Sequence, residues 1–291
     1  MNRVPQAPTS RPARLRGQYA DVRPDYTVDQ RHEAYSDEDH GVWAELLARQ
    51  SRLLPRFAIP GFGAGVEALG LDARIPRFDE VSRRLAGLTR WTIIGVPGLI
   101  PEREFFEHLS QRRFPVTTWI RTRAELDYLV EPDLFHDFFG HVPLLTDPVY
   151  ADFIELYGRA GQRALDNGGL GMLARLYWYG VEFGLMETPV GLRCYGAGIL
   201  SSWGETQHAL ASPVPQRLRF DLTRVLRSAY LIDDYQRTYF VIRDFRELMD
   251  AAIGTDFLPL YRRHGSEPGI PVGSVLPGEE VVPPDPSAVV G

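Results

Sequence analysis

The sequence predicts a mainly α fold: a single helical domain over residues 26–263, carrying a few short β-strands. Three observations predict it. Apolar residues recur at steps of three and four through most of the chain. Runs that suit strands are short. No internal repeat and no strand–helix alternation marks a parallel sheet. The 291 residues, 44% of them hydrophobic, suffice for one substantial core or two small ones.

The elements follow in order. Asp39 to Leu54 reads as a helix, with Val42, Trp43, Leu46, Leu47 and Leu54 on one face. Gly61-Phe62-Gly63-Ala64-Gly65 is a loose relative of the dinucleotide fingerprint, but the proline-ended stretch before it is no strand, so a connecting loop is expected. Phe78 to Leu88 is a second helix, and Glu102 to Gln111 a third that follows Pro101. Trp91 to Val96 and Val116 to Ile120 read as strands, as does Thr238 to Ile242. Val149 to Leu165, Gly171 to Met186, Pro215 to Ser228 and Phe245 to Ala252 read as helices. Residues 1–25, with Pro5, Pro8, Pro12, Pro24 and five arginines, are expected to form a flexible basic arm. The arm has no apolar core of a secretory signal, and its prolines oppose a presequence helix. Residues 264–291 hold six prolines and read as an extended tail.

Composition removes whole classes of function. No apolar run approaches the ~20 residues of a membrane helix. A net charge of −6 disfavours general nucleic-acid binding. The single cysteine, Cys194, precludes an internal disulfide and Cys-rich metal sites, and fits a reducing, cytoplasmic setting. All 32 basic residues are arginine, so there is no Walker-A lysine and no lysine Schiff base.

The informative segment is Glu131 to Leu145, EPDLFHDFFGHVPLL. Pro132 and Asp133 suit a helix start. His136 and His141 are five apart, about 140° of rotation at about 3.6 residues per turn, so a regular helix would not put them on one face. Gly140, taking a left-handed conformation that ends the helix, would let His141 swing back. The bland reading is two unrelated core histidines. Glu182 weighs against it: in LARLYWYGVEFGL its helical neighbours are Trp178, Tyr179, Leu185 and Met186. A carboxylate among aromatics must protonate, pair or bind a metal. Arg175, two turns back, is one partner. A divalent cation shared with His136 and His141 is the other. Two imidazoles and a carboxylate form the facial triad of non-haem Fe(II) oxygenases, and the same ligand set serves zinc hydrolases. The zinc-protease motif H-E-x-x-H is absent, which tilts toward iron.

EPDLFHDFFGHVPLL, LYWYGVEFGL and YGAGILSSWGE, in that order, resemble the pterin-dependent aromatic amino acid hydroxylases, most closely the single-domain bacterial members that hydroxylate phenylalanine. The resemblance covers roughly residues 25–260. It implies the hydroxylase fold, a helical catalytic domain. It also implies a monooxygenase using Fe(II), tetrahydrobiopterin or a related tetrahydropterin, and O2 to convert L-phenylalanine to L-tyrosine. His136, His141 and Glu182 match the family's iron ligands. Gly98, Leu99 and Ile100 match its pterin loop, and Phe105 the ring that stacks on the pterin. Tyr177 matches a tyrosine lining the site. Arg121 matches the arginine that pairs with the substrate carboxylate, and Asp133 its support. Pro132 and Trp178 match residues enclosing the substrate ring, and Ser201 a serine beside an iron-bound histidine. Four of these have an ordinary alternative: Arg121 pairing with Glu125 or Asp127, Phe105 in the core, Gly98 in a turn, Ser201 as a cap. Asp137 and Pro115 stand where animal members carry glutamate and histidine, which leaves the choice of pterin open. Without the animal members' regulatory domain and oligomerisation helix, a monomer is expected. Another aromatic amino acid, meta attack, or a zinc hydrolase remain the competing outcomes.

Overall fold

The computed structural model describes residues 16–127, 129–253 and 255–285. Arg3, Pro5, Pro8, Arg11, Pro12 and Arg14 of the expected arm lie outside the described residues, as do residues 286–291 of the tail.

Helix α1 (Asp37–Phe57) starts on a capping box: the Ser36 hydroxyl accepts from the Asp39 amide at 3.2 Å, and the Asp39 carboxylate accepts from the Ser36 amide at 2.8 Å. Its buried face carries Val42, Trp43, Leu46, Leu53 and Phe57. Next comes α2 (Pro60–Leu69), where the Gly61–Gly65 run was expected to be a loop. Pro60 in the first turn and the burial of Phe62 and Leu69 outweigh the three glycines. Helix α3 (Phe78–Thr89) leads to β1 (Thr92–Val96), α4 (Glu102–Ser110) and β2 (Arg113–Thr117).

β1 and β2 pair in parallel, Thr92 opposite Arg113 through Val96 opposite Thr117, so β1-α4-β2 is a βαβ unit that the sequence reading did not find. The strand expected at Val116–Ile120 begins three residues earlier and takes in Pro115. With only two strands in the sheet, β2 is an edge, where a missing N–H is tolerated.

Helix α5 (Pro148–Asn167) is capped by Asp147 and packs along α4. Helix α6 (Leu170–Tyr177) runs into a π-helical turn, Trp178–Glu182, and then into β3 (Gly184–Thr188). The helix read through Met186 therefore stops at Glu182, because Leu185 to Thr188 pair antiparallel with β4 (Gly191–Cys194). Two short helices follow, α7 (Ala197–Leu200) and α8 (Trp203–Ala211). The helix expected over Pro215–Ser228 is instead β5 (Gln216–Arg219) and α9 (Leu222–Arg227). Arg217 explains the break. Its buried guanidinium donates to the carbonyls of Ala209 (2.6 Å) and Ser212 (2.7 Å) at the end of α8, a role a helix there would deny it. β6 (Thr238–Ile242) completes a four-stranded sheet in the order β4-β3-β6-β5, and α10 (Phe245–Ile253) and α11 (Phe257–His264) follow.

Residues 16–25, read as part of a free arm, are bonded to the domain. Arg16 pairs with Glu125 at 2.6 Å, the Tyr19 hydroxyl donates to the Leu99 carbonyl at 2.9 Å, and Asp25 pairs with Arg113 at 3.3 Å. In the tail, the Val282 amide donates to Arg217 at 2.7 Å and Asp285 pairs with Arg193 at 3.1 Å. Among the described residues no helix is long and apolar enough to cross a membrane.

Candidate active site

The segment after Glu131 is anchored by its aromatics before it offers any chemistry. Phe135 stacks on Phe139 (4.8 Å, 11°), and Trp43 of α1 meets Phe135 and Phe138 edge-on at 5.4 and 5.9 Å. All three phenylalanines are fully buried. Asp133 opens the helix, its carboxylate accepting from the His136 amide at 3.0 Å.

His136 to His141 then form a π-helical turn. Gly140 is not left-handed and does not end the helix, as the sequence reading had expected. A π-turn hydrogen-bonds i to i+5 and so brings residues five apart over one another. The rings of His136 and His141 stand 5.2 Å apart at 87°. Gly140 is needed for another reason: a Cβ there would lie 3.0 Å from the Ala197 carbonyl of α7. The second π-turn, closed by the Phe183 amide on the Trp178 carbonyl at 2.8 Å, delivers Glu182 to the same point.

His136 Nε2 lies 3.6 Å from one Glu182 oxygen, and His141 Nε2 3.2 Å from the other. One donor atom from each of the three residues falls within 4.8 Å of the others. Donors about 2.1 Å from one metal at right angles stand about 3 Å apart, so the spacing fits a divalent cation bound on one face.

Hydrogen bonding prepares the donors. The Ser201 hydroxyl gives its single proton to the Ala197 carbonyl (2.8 Å) and lies 2.9 Å from His136 Nδ1. Nδ1 must therefore carry the ring proton, which leaves Nε2 a free lone pair toward Glu182. His141 is held by packing instead, between Phe114 at 5.1 Å and Tyr177 at 6.1 Å, with Nδ1 buried and unbonded. Burial pushes the Glu182 carboxyl up, but the His141 and His136 imidazoles pull it further down, and it ends below the usual glutamate range. Arg175, the alternative partner, donates to the Leu226 carbonyl at 2.8 Å and leaves Glu182 to the histidines.

Beside this triad lies a cavity of about 570 Å³ whose lining includes Arg121, Pro132, His136, Trp178, Glu182 and Ser201. Arg121 pairs with neither Glu125 nor Asp127. Its Nε and Nη2 donate to the two oxygens of fully buried Asp133 at 2.9 and 2.8 Å, and its own amide adds a third bond at 2.9 Å. The fork is fixed, and Nη1 is left for a ligand. Trp178 stacks on Tyr230 (4.4 Å, 20°), and its Nε1 donates to Gln236 at 3.1 Å.

The residues expected at the pterin do not line this cavity. Phe105 meets Tyr177 edge-to-face at 5.8 Å, and Tyr177 continues the aromatic row to His141. Gly98 has φ +148°, open to glycine but not to a side chain, and leads into Leu99 and Ile100 at the chain's approach to α4.

The lining residues that sequence reasoning did not assign include Glu131, Glu205 and Gln236. Glu205 is buried and accepts from the Tyr239 hydroxyl (2.5 Å) and the Gln236 amide (3.1 Å), and burial raises its carboxyl to about 7. Glu205, between Gly204 and Thr206, gave no sign of its burial in the sequence, and Gln236 offered none either.

Residues 10–254 match the biopterin-dependent aromatic amino acid hydroxylase family, and the chain belongs to it. Among its relatives, the phenylalanine-4-hydroxylase of Chromobacterium violaceum is 51% identical over 259 residues, 89% of this chain and 87% of that protein. The crystal structure of that hydroxylase bound to cobalt superposes with a TM-score of 0.87, covering 89% of this chain and 93% of the other at 51% identity. Its iron- and phenylalanine-bound structure superposes with a TM-score of 0.85 at 49% identity, covering 89% and 94%.

Proposed function

We propose that this chain is an iron- and tetrahydropterin-dependent monooxygenase that converts L-phenylalanine to L-tyrosine with O2. The observation that carries the reading is the convergence of His136, His141 and Glu182 beside a cavity that also receives the Arg121 guanidinium. Iron(II), held by those three side chains, would activate dioxygen, which furnishes the inserted oxygen atom, and the reduced pterin would furnish the two electrons that balance the reaction; the protein supplies orientation and a dry site.

The chain's own groups divide that work. Arg121, held by Asp133, takes the substrate carboxylate. Pro132 and Trp178 enclose the substrate ring, with Trp178 steadied by Tyr230 and Gln236. Ser201 keeps His136 in the tautomer that offers Nε2. Phe105 and Tyr177 offer faces to the flat pterin, and Gly98 to Ile100 the backbone beside it. A monomer is the assembly this reading expects, and a lone buried cysteine suits the cytoplasm.

The test is anaerobic loading with Fe(II), then tetrahydropterin, L-phenylalanine and air, with the product resolved against ortho-, meta- and para-tyrosine. Para-tyrosine in step with pterin oxidation is expected. Meta-tyrosine, preferred turnover of tryptophan, or activity only with zinc would overturn the assignment.

A further inference from the structure

At neutral pH, L-phenylalanine carries an ammonium as well as a carboxylate. Arg121 meets the carboxylate, and no residue assigned so far meets the ammonium. The inference here rests on the proposed substrate and names this second contact.

Glu131 lines the same cavity as Arg121, Trp178 and Glu182. It is 5% exposed, and its Oε2 is sealed from solvent without a hydrogen-bond donor. Four acids are buried among the described residues: Glu131, Asp133, Glu182 and Glu205. Asp133 has Arg121, Glu182 has two imidazoles, and Glu205 has a hydroxyl and an amide. Glu131 alone of the four is given no donor and no arginine. A carboxylate removed from water in that way calls for a cation.

The chain path supports the placement. Glu131, Pro132 and Asp133 are consecutive, and Asp133 grips the Arg121 guanidinium from behind. One short segment therefore sets the cation for a carboxylate and, two residues away, an acid for an ammonium. Other acids on the cavity wall suit the task less. Asp127 is paired with Arg49 at its exposed rim, and Asp233 and Asp234 face solvent, where water screens them.

We propose that the Glu131 carboxylate accepts the α-ammonium of the substrate, so that the site selects zwitterionic amino acids over the corresponding acids. The test compares L-phenylalanine with 3-phenylpropanoate, which lacks only the amino group. Both are titrated calorimetrically into anaerobic, iron-loaded wild type and Glu131→Gln. A charge-assisted hydrogen bond in a buried site corresponds to about 10- to 100-fold in affinity. Wild type is expected to prefer L-phenylalanine by that factor. Glu131→Gln should lose it by weakening L-phenylalanine alone, with 3-phenylpropanoate and the KM for pterin unchanged. Equal weakening of both ligands, or an unchanged affinity for L-phenylalanine, overturns the proposal. Should the variant not fold, wild type decides: comparable affinity for the two ligands overturns it, and a preference lost in folded Glu131→Asp upholds it. An enzyme that makes no tyrosine removes the substrate assignment itself, whereas one that makes tyrosine but ignores the amino group removes only this contact.

Discussion

The metal-side wall of the site and the expected pterin-side wall are built on different terms. On the metal side, two buried π-turns fix the donors, and His136 and Arg121 are each pinned by a buried polar partner. On the pterin side, the loop after β1 is half open to solvent, with Leu99 42% exposed and its carbonyl accepting from the Tyr19 hydroxyl. The metal wall is set before any ligand arrives. The pterin wall, with Leu99 exposed and Ile100 partly so, has more room to adjust. Substitutions on the first should therefore cost metal or stability, and substitutions on the second should cost only cofactor affinity.

The largest effect is expected from Glu182→Ala. Removing a donor should abolish stoichiometric iron and reduce turnover by more than the about 100-fold reached by outer contacts. Metal analysis beside an activity assay checks both, and a variant that keeps iron and turnover removes Glu182 from the ligand set. Arg121→Ala comes next, because it strands Asp133 with no counter-charge in the core. A loss of about 3–5 kcal/mol in denaturant unfolding is expected. In whatever fraction folds, the KM for phenylalanine should rise far more than that for pterin.

Glu205 gives the same wall a pH signature. Its carboxyl sits at about 7 in the fold against 4.5 as a free side chain, because burial disfavours the charge. The folded state then holds the proton more tightly, so this residue's contribution to stability falls as pH rises from about 4.5 to 7 and stays lost above. Glu205→Gln keeps an acceptor for Tyr239 and the Gln236 amide without the charge. It should raise stability at pH 8 by up to about 3 kcal/mol and leave it nearly unchanged at pH 4.5. Equal melting shifts at both pH values would contradict this origin. Ser201→Ala follows, with an expected loss of about 10- to 100-fold in iron affinity as His136 loses its tether. Competition with a chelator measures it.

How far the site was legible follows from the same contrast. Glu182 stood out because an acid among aromatics must be accounted for, whereas the pairing of Asp133 with Arg121 came only from the family resemblance. The means by which the histidines meet was not legible. A reading at 3.6 residues per turn cannot foresee a π-turn, and so it laid the work on Gly140. Strand β2 was shifted because Pro115 reads as a boundary until its edge position is known. β5 was read as helix because no periodicity reveals that Arg217 turns inward to cap α8. Glu131 was missed because its meaning lies in the absence of a partner, which only folded coordinates display.

The smallest effects belong to the pterin wall and test its independence. Phe105→Leu removes a stacking face worth about 0.5–1.5 kcal/mol, so the KM for tetrahydropterin should rise about 3- to 10-fold. Tyr19→Phe deletes the hydroxyl that holds the Leu99 carbonyl, a net contribution of similar or smaller size at an exposed position. In both variants the iron content and the KM for phenylalanine should stay at wild-type values. The reason is structural: Phe105 touches Tyr177, the ring beside His141, and Tyr177 is packed from several sides, including Tyr157 at 5.3 Å. Iron lost together with pterin affinity in Phe105→Leu would mean that the aromatic row transmits strain into the metal turn, and the two walls would have to be treated as one.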